Sequence, residues 1–401
     1  MFSRRTSWEA SANELTALMN SRRSAGATII DLTVSNPTTC GFTYPGERIL
    51  RALSSAGSLS YHPDPRGLSS ARGAVASYYR NRGRDVSTDD IFLTASTSES
   101  YSLLFTLLCD PGDAVLVPRP SYPLFEYLSG LNGVRTIPYQ IVHDHRWKID
   151  TGSMRSGLAK SPRAVVVVNP HTPTGSFVRE DDWREISGTM SGREVALIVD
   201  EVFIDYAFNA PVGIDGLVGN GAPVGPVATG DAGPPAFFLN GLSKSAGLPQ
   251  MKLGWIVVTG GGGHAAEART RLEILNDIYL SAGTPAQAAL PELLACGEIV
   301  RPSILQRVSD NYAFLCAAIE GVTGASVPET EGGWNAVVRL PEGMSDEECS
   351  RGLLKEEGVY CYPGFFFDFE ENNMMILSLL PLPEEFGEGV GHLARWIAAR
   401  A

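Results

Sequence analysis

This chain of 401 residues has no long apolar run. Its longest such stretches, for example Ala164–Val168, fall far short of the roughly 20 residues a membrane-spanning helix needs, so no membrane is expected as a partner. Clusters of Lys and Arg are also missing, and the formal net charge is -13 with a pI near 5.0. That balance argues against nucleic acid as a main partner. No CxxC pair occurs among the six cysteines (Cys40, Cys109, Cys296, Cys316, Cys349 and Cys361). Most lie within apolar patterns, which favours buried free thiols in a reducing cytoplasm over disulfides or zinc. The six histidines show no metal-ligand spacing, so no metal is expected. Met1–Asn20 is polar and lacks the apolar centre of a signal peptide, and the expected location is the cytoplasm.

What is present is the composition of a soluble globular protein, 44% hydrophobic and 19% charged. The length allows two domains with sizeable cores. Short apolar runs (Ile91–Thr94, Ala114–Val117, Ala164–Val168, Ala196–Val199, Ala236–Leu239, Trp255–Val258) alternate with stretches of helix length. They include Leu68–Arg82, Glu99–Cys109, His264–Tyr279 and further helices over Pro285–Glu320. Such alternation predicts an α/β fold with a mostly parallel sheet covered on both faces. Gly213–Pro235 reads as a surface insertion and Gly260–Gly263 as an exposed turn. Near the termini the pattern changes: strands are expected at Ile29–Val34, Trp334–Arg339 and Met375–Leu380, and helices at Trp8–Arg23, Asp346–Gly358 and Glu388–Ala399. The expected organisation is a large domain over 45–295 and a smaller α+β domain built from 1–44 plus 296–401.

Chemistry-bearing residues gather at the ends of the apolar runs. Lys244 lies in the loop between Ala236–Leu239 and Trp255–Val258; an amine whose charge is suppressed there could form a Schiff base. Thr94-Ala-Ser-Thr-Ser-Glu99 runs from a strand into a helix N-terminus, an anion site by its free amides and dipole. Tyr122 follows in Val117-Pro-Arg-Pro-Ser-Tyr-Pro123, and Asn169-Pro-His-Thr-Pro-Thr-Gly175 follows the next run. Asp200, in Ile198-Val-Asp-Glu-Val-Phe203, ends a strand at what would be the binding edge of an open α/β sheet. Ser60-Tyr-His-Pro-Asp-Pro-Arg-Gly67 precedes them all.

In this order the strings resemble those of the fold-type I aminotransferases, which use pyridoxal 5'-phosphate (PLP). The resemblance is dense over about 60–255 and looser outside. It implies that Lys244 holds the cofactor as a Schiff base, is displaced by the incoming amine and then shuttles a proton. Ser96, Thr97, Ser98, Ser243 and Lys252 would hold the phosphate, and Tyr122 would stack on the ring. Asp200 would pair with the ring nitrogen, Val202 would pack on the ring, and Asn169 belongs to the adjoining motif. Tyr61 would reach the phosphate of a neighbouring subunit, implying a homodimer. The substrates would be an amino acid and a 2-oxo acid.

Three positions depart from the family pattern. Thr172 replaces an Asn that donates to the phenolic oxygen, Phe203 replaces a Tyr that does the same, and Ile376 falls where an Arg would bind the substrate carboxylate. Losing a donor to that oxygen raises the expected pKa of the Schiff base. Asn36, Arg66, Trp334 and Arg339 are the candidate substrate residues. The departures keep open an alternative on the same fold, a PLP-dependent lyase, decarboxylase or other amino-acid-modifying enzyme. A non-enzymatic regulator is disfavoured by the retention of Lys244 and Asp200.

Overall fold

The structure is a computed structural model, and it describes residues 1–8, 13–208, 234–260 and 262–401. Its strands are β1 (Ile30–Asp31), β2 (Ile91–Thr94), β3 (Ala114–Arg119), β4 (Arg135–Asp144), β5 (Arg146–Ile149), β6 (Ala164–Val168), β7 (Ala196–Asp200), β8 (Ala236–Gly241), β9 (Gly254–Thr259), β10 (Asn335–Arg339), β11 (Val359–Tyr360), β12 (Tyr362–Pro363) and β13 (Met374–Ser378). Eight of them form one sheet in the order β2-β9-β8-β7-β6-β3-β4-β5. β8, β7, β6, β3 and β4 are parallel to their neighbours in that series, whereas β9 runs against both β8 and β2, and β5 against β4.

The central strands are continuous apolar runs because both faces are buried. Along β6 and β7, Val165, Val167, Leu197 and Val199 join a core with Val75, Trp255 and Leu290, while Val166 and Ile198 face a second core with Phe105, Ile256 and Leu272. Helices Ser69–Arg80 and Thr284–Glu320 cover the first face, and Thr97–Leu108 and Gly262–Tyr279 cover the second. A third core surrounds the small antiparallel sheet β10-β13-β12 and the parallel pair β1-β11. It draws Leu32 from near the start of the chain together with Val338, Leu377, Phe386 and Leu393.

Several elements differ from the sequence expectation. The stretch from Pro285 forms a single helix of 37 residues, Thr284–Glu320, with Pro291 and Pro302 inside it. Proline removes one hydrogen bond and crowds the preceding turn, but this helix buries residues along its whole length, from Leu290 and Leu293 in the first core to Val308 and Leu315 in the third. The first long helix is Glu14–Ser24, capped by the Asn13 side chain; the expected start at Trp8 runs through residues 9–12, outside the described ones. Ile29–Val34 contracts to β1, and Trp334 precedes β10 rather than opening it. The β4–β5 hairpin had no expected counterpart, because Pro138 and alternating polar residues mask its pattern. Of the expected insertion Gly213–Pro235, residues 213–233 lie outside the described ones; Pro235 leads into β8. Gly262 starts a helix rather than continuing a turn, and Gly261 is outside the described residues.

Candidate active site

Strand direction brings the motifs to one rim. β2, β8, β7, β6 and β3 all end there, and the reversed strand β9 begins there. Along the sheet the rim therefore presents the Ser96 turn after β2, Lys252 before β9, Lys244 after β8, Asp200 at the end of β7, Asn169 after β6 and Tyr122 after β3. This is the edge at which open α/β sheets bind ligands.

Lys244 sits in a single helical turn, Leu242–Ser245, straight after β8. Its backbone carbonyl accepts a 2.7 Å hydrogen bond from the buried Tyr206 hydroxyl, which fixes the turn. Its Nζ lies 4.5 Å from the ring centroid of Trp334 and 5.3 Å from that of Phe203. Burial pushes the amine down to about 8, opposed by the charge of Asp200. The sheet is tight at this point: a Cβ on Gly241 would come within 2.9 Å of the Gly254 backbone, so only glycine fits between the two strands.

Asp200 is buried, with a 2.9 Å hydrogen bond from the Tyr101 hydroxyl to Oδ2 and a 3.1 Å bond from the Val202 amide to Oδ1. Burial raises its pKa to about 6, while the Val202 and Tyr101 hydrogen bonds and Lys244 lower it. Glu201, the next residue, turns to the other side, where Arg84 lies 3.2 Å away and stacks 3.8 Å over Phe238. Burial likewise raises Glu201, to about 7.

The remaining predicted residues fall as follows. Ser96 caps helix Thr97–Leu108, its Oγ accepting from the Glu99 amide at 3.2 Å. The Thr97 and Ser98 hydroxyls, in the first turn, have no hydrogen-bond partner among the described residues. Lys252 is exposed, in the left-handed region at φ 48°. Ser243 is partly exposed beside Lys244, as is Thr172 in the loop after β6. The Asn169 side chain is fully buried; it accepts from the Val178 amide at 2.9 Å, and its Nδ2 has no partner among the described residues. Tyr122 and Tyr61 are 54% and 75% exposed, so each is left more than half open by its own chain. Val202 and Phe203 pack on the third core, Phe203 edge-to-face with Trp334 at 5.3 Å.

Of the substrate candidates, Trp334 alone is shown against Lys244. Asn36 is occupied in capping Pro37–Thr39. Arg66 is paired with Glu273 at 2.7 Å and lies over the Phe92 ring at 5.5 Å. Arg339 ends β10, at the opposite end of the strand from Trp334, with its charge felt by His143. Ile376 is fully buried, paired with Val337 and Tyr362, and puts no cation on that strand face. The sequence reading missed Tyr101 and Tyr206. Each lies at an unremarkable helix or turn position, and only the fold shows what its hydroxyl meets.

No metal-ligating cluster of His, Cys, Asp and Glu occurs among the described residues, all six cysteines are free, and no helix among them is long and apolar enough to cross a membrane. The aminotransferase class I and II family matches residues 27–375. Glutamate-pyruvate aminotransferase AlaA of Haemophilus influenzae is 26% identical over 93% of this chain and 91% of its own length. Tyrosine aminotransferase of Mus musculus is 25% identical over 88% of this chain and 77% of its own length. Among solved structures, alanine aminotransferase from Pyrococcus furiosus superposes with a TM-score of 0.88 at 24% identity, covering all of both chains. An aminotransferase from Escherichia coli gives 0.81 at 23% identity, covering 99% of this chain and 98% of that one. With residues 27–375 matched by the family, the chain belongs to the class I and II aminotransferases.

Proposed function

We propose that this aminotransferase uses PLP on Lys244 to move an amino group between an amino acid and a 2-oxo acid. The observation that carries the reading is the placement of Lys244, in the turn straight after β8 with its Nζ 4.5 Å from the Trp334 ring, at the same rim as the buried Asp200 that ends the neighbouring strand β7. The donor set suits a flat, phosphorylated aldehyde with a basic ring nitrogen: an amine for the aldehyde, a carboxylate for the nitrogen, and a helix N-terminus with a lysine for the phosphate. The orphaned Asn169 Nδ2 is a further donor awaiting a partner at the same rim. When bound, PLP supplies a ring that accepts the electron pair left on the substrate α-carbon.

The protein's own groups do the rest. Asp200 holds a proton against the ring nitrogen. Lys244 Nζ, neutral above about 8, takes the proton from the substrate α-carbon as a general base. Thr97, Ser98, Ser243 and Lys252 anchor the phosphate, and Thr172 offers a hydroxyl to the phenolic oxygen. Trp334 and Phe203 wall the space above the amine and exclude water. Tyr61, exposed on its own chain, reaches a second copy's phosphate in a homodimer, a role consistent with its position beside Ser281 and Thr284 in one surface cavity.

The lyase alternative is not favoured, because the matched relatives are named as aminotransferases. The test is to mix the protein, loaded with PLP, with single amino acids, glutamate and alanine among them, without any acceptor. Release of the matching 2-oxo acid, stoichiometric with protein, is the expected result. Release of ammonia or carbon dioxide instead would transfer the assignment to the lyase class.

A further inference from the structure

Among the described residues, two hydrogen bonds hold the carboxylate of Asp200, one from its own loop and one from outside it. The outside donor is Tyr101, on the second turn of helix Thr97–Leu108. Tyr101 is 3% exposed, and its ring is held edge-to-face by Phe125 at 5.3 Å and in a tilted contact by Phe105 at 5.9 Å. Burial and the Asp200 charge push the Tyr101 pKa far up, so the hydroxyl keeps its proton and can serve Asp200 only as a donor. The same helix presents the Thr97 and Ser98 amides at its N-terminus, so a single rigid element carries both the phosphate turn and the brace on the carboxylate.

We infer that Tyr101 is a positioning residue for the transamination reaction, its hydroxyl holding Asp200 ionised and aimed at the nitrogen of the PLP ring. The inference rests on the reading of Asp200 as the partner of that nitrogen. A hydrogen bond to a buried charge stabilises it more than one between neutral groups. Here it works against the desolvation that raises Asp200 to about 6. The other groups acting on this pair are Lys244, which favours the charged form of Asp200, and the Val202 amide; Tyr139 lies behind Tyr101, and Glu201 is turned to Arg84.

The experiment is to titrate PLP into the apo form of the native protein and of Tyr101→Phe between pH 5 and pH 9, reading affinity from cofactor absorbance. Phenylalanine keeps the ring contacts and removes the donor, and the thermal midpoint of each apo protein reports folding. The Lys244 amine adds a pH dependence common to both proteins, so the ratio of their affinities isolates Asp200. Without its donor the carboxylate protonates at higher pH, by about one unit for a hydrogen bond of this kind. Cofactor binding must then expel that proton. The expected ratio is about tenfold weaker binding by Tyr101→Phe below pH 6, closing towards unity above pH 8. A loss that is the same at every pH, or no loss, overturns the inference, since a structural role has no reason to follow the charge of Asp200.

Asp200→Asn separates the two readings. If it binds PLP as the native protein does, Asp200 does not pair with the ring nitrogen and the parent assignment fails. If it binds poorly while Tyr101→Phe is unaltered, the parent assignment stands and the role of Tyr101 falls. In the Asp200→Asn background, adding Tyr101→Phe should change affinity less than twofold, because the two act as one unit; an additive loss counts against the inference.

Discussion

Lys244 shows how much one side chain's surroundings can change its chemistry. A solvated lysine amine is neutral in only about one molecule in a thousand near pH 7.4. With its pKa drawn down to about 8 by burial, the amine is free in a sizeable fraction at the same pH. In the apo-protein an aldehyde or arylating reagent should therefore modify one lysine fast. That rate should rise about tenfold per pH unit up to about 8 and then level off, and Lys244→Ala should remove the fast phase. Turnover in Lys244→Ala should fall by at least about a thousandfold, since the change removes both the proposed tether and the proposed general base; near-normal turnover would overturn the assignment. Phe203 is the other decisive residue. Its ring sits against Trp334, and in the proposed site a phenol there would donate to the cofactor's oxygen. Phe203→Tyr should lower the midpoint at which the holoenzyme's visible absorbance titrates, read directly from a spectrophotometric pH series, and an unchanged midpoint would show that the added hydroxyl does not reach the cofactor.

At the scale of the element, the end of β7 places two consecutive acids on opposite sides of the chain. Asp200 faces the rim and Glu201 faces Arg84, which is sandwiched between Phe238 and Tyr79. Glu201 is raised to about 7, with burial the largest cause and Arg84 opposing it. A carboxyl raised on folding binds more protons folded than unfolded between about 4.5 and 7, so it costs stability as pH climbs through that window. Arg84→Ala would deepen the cost by leaving the charge unpaired, about 3–5 kcal/mol for a buried partner. The thermal midpoint of that variant should drop much more at pH 8 than at pH 5, where Glu201 can take a proton; equal drops would mean that packing, not charge, is what Arg84 contributes. The contrast between these two acids also marks the limit of what the sequence reveals. β3, β6, β7, β8 and β9 are legible because a strand buried on both faces must be apolar throughout, and the polar residues that end those runs are legible for the same reason. The partners of those residues are not. Tyr101 and Arg84 lie on other elements, far along the chain from Asp200 and Glu201, and no local pattern announces a contact that only the folded sheet creates. Ile376 was legible as an absence, and the structure adds only that the space is filled by core.

Whole-molecule organisation places a partner in the argument. Leu50, Leu59, Tyr61, Ile274, Ile278 and Tyr279 are large apolar residues each more than half exposed. Tyr61 lines a cavity with Leu280 and Ser281, which directly follow the helix bearing Ile274 and Ile278. A contiguous apolar patch there would suit the proposed homodimer contact. Sedimentation should give a dimer, and Ile274→Glu with Ile278→Glu should give a monomer that binds PLP at least about tenfold more weakly, because it would lack the proposed Tyr61 contact from the second chain. Tyr61→Phe should leave the dimer intact and weaken PLP by about 1 kcal/mol, the worth of one hydrogen bond. A monomeric native protein would remove Tyr61 from the site.

The reversed strand β9 has a mechanical meaning. Because it starts at the rim where its neighbour β8 stops, Lys244 and Lys252 sit on one hairpin, stitched at Gly241 and Gly254. Trp334, by contrast, is carried by the chain entering the small sheet at β10. Trp334 is nonetheless pinned beside the amine, because the Gly333 amide donates to the Tyr206 carbonyl and Gly332 bridges to Ala207, so the proposed tether, phosphate anchor and roof are tied to one another. Whatever the small sheet does, the spacing of the two lysines is set by the pairing of β8 with β9.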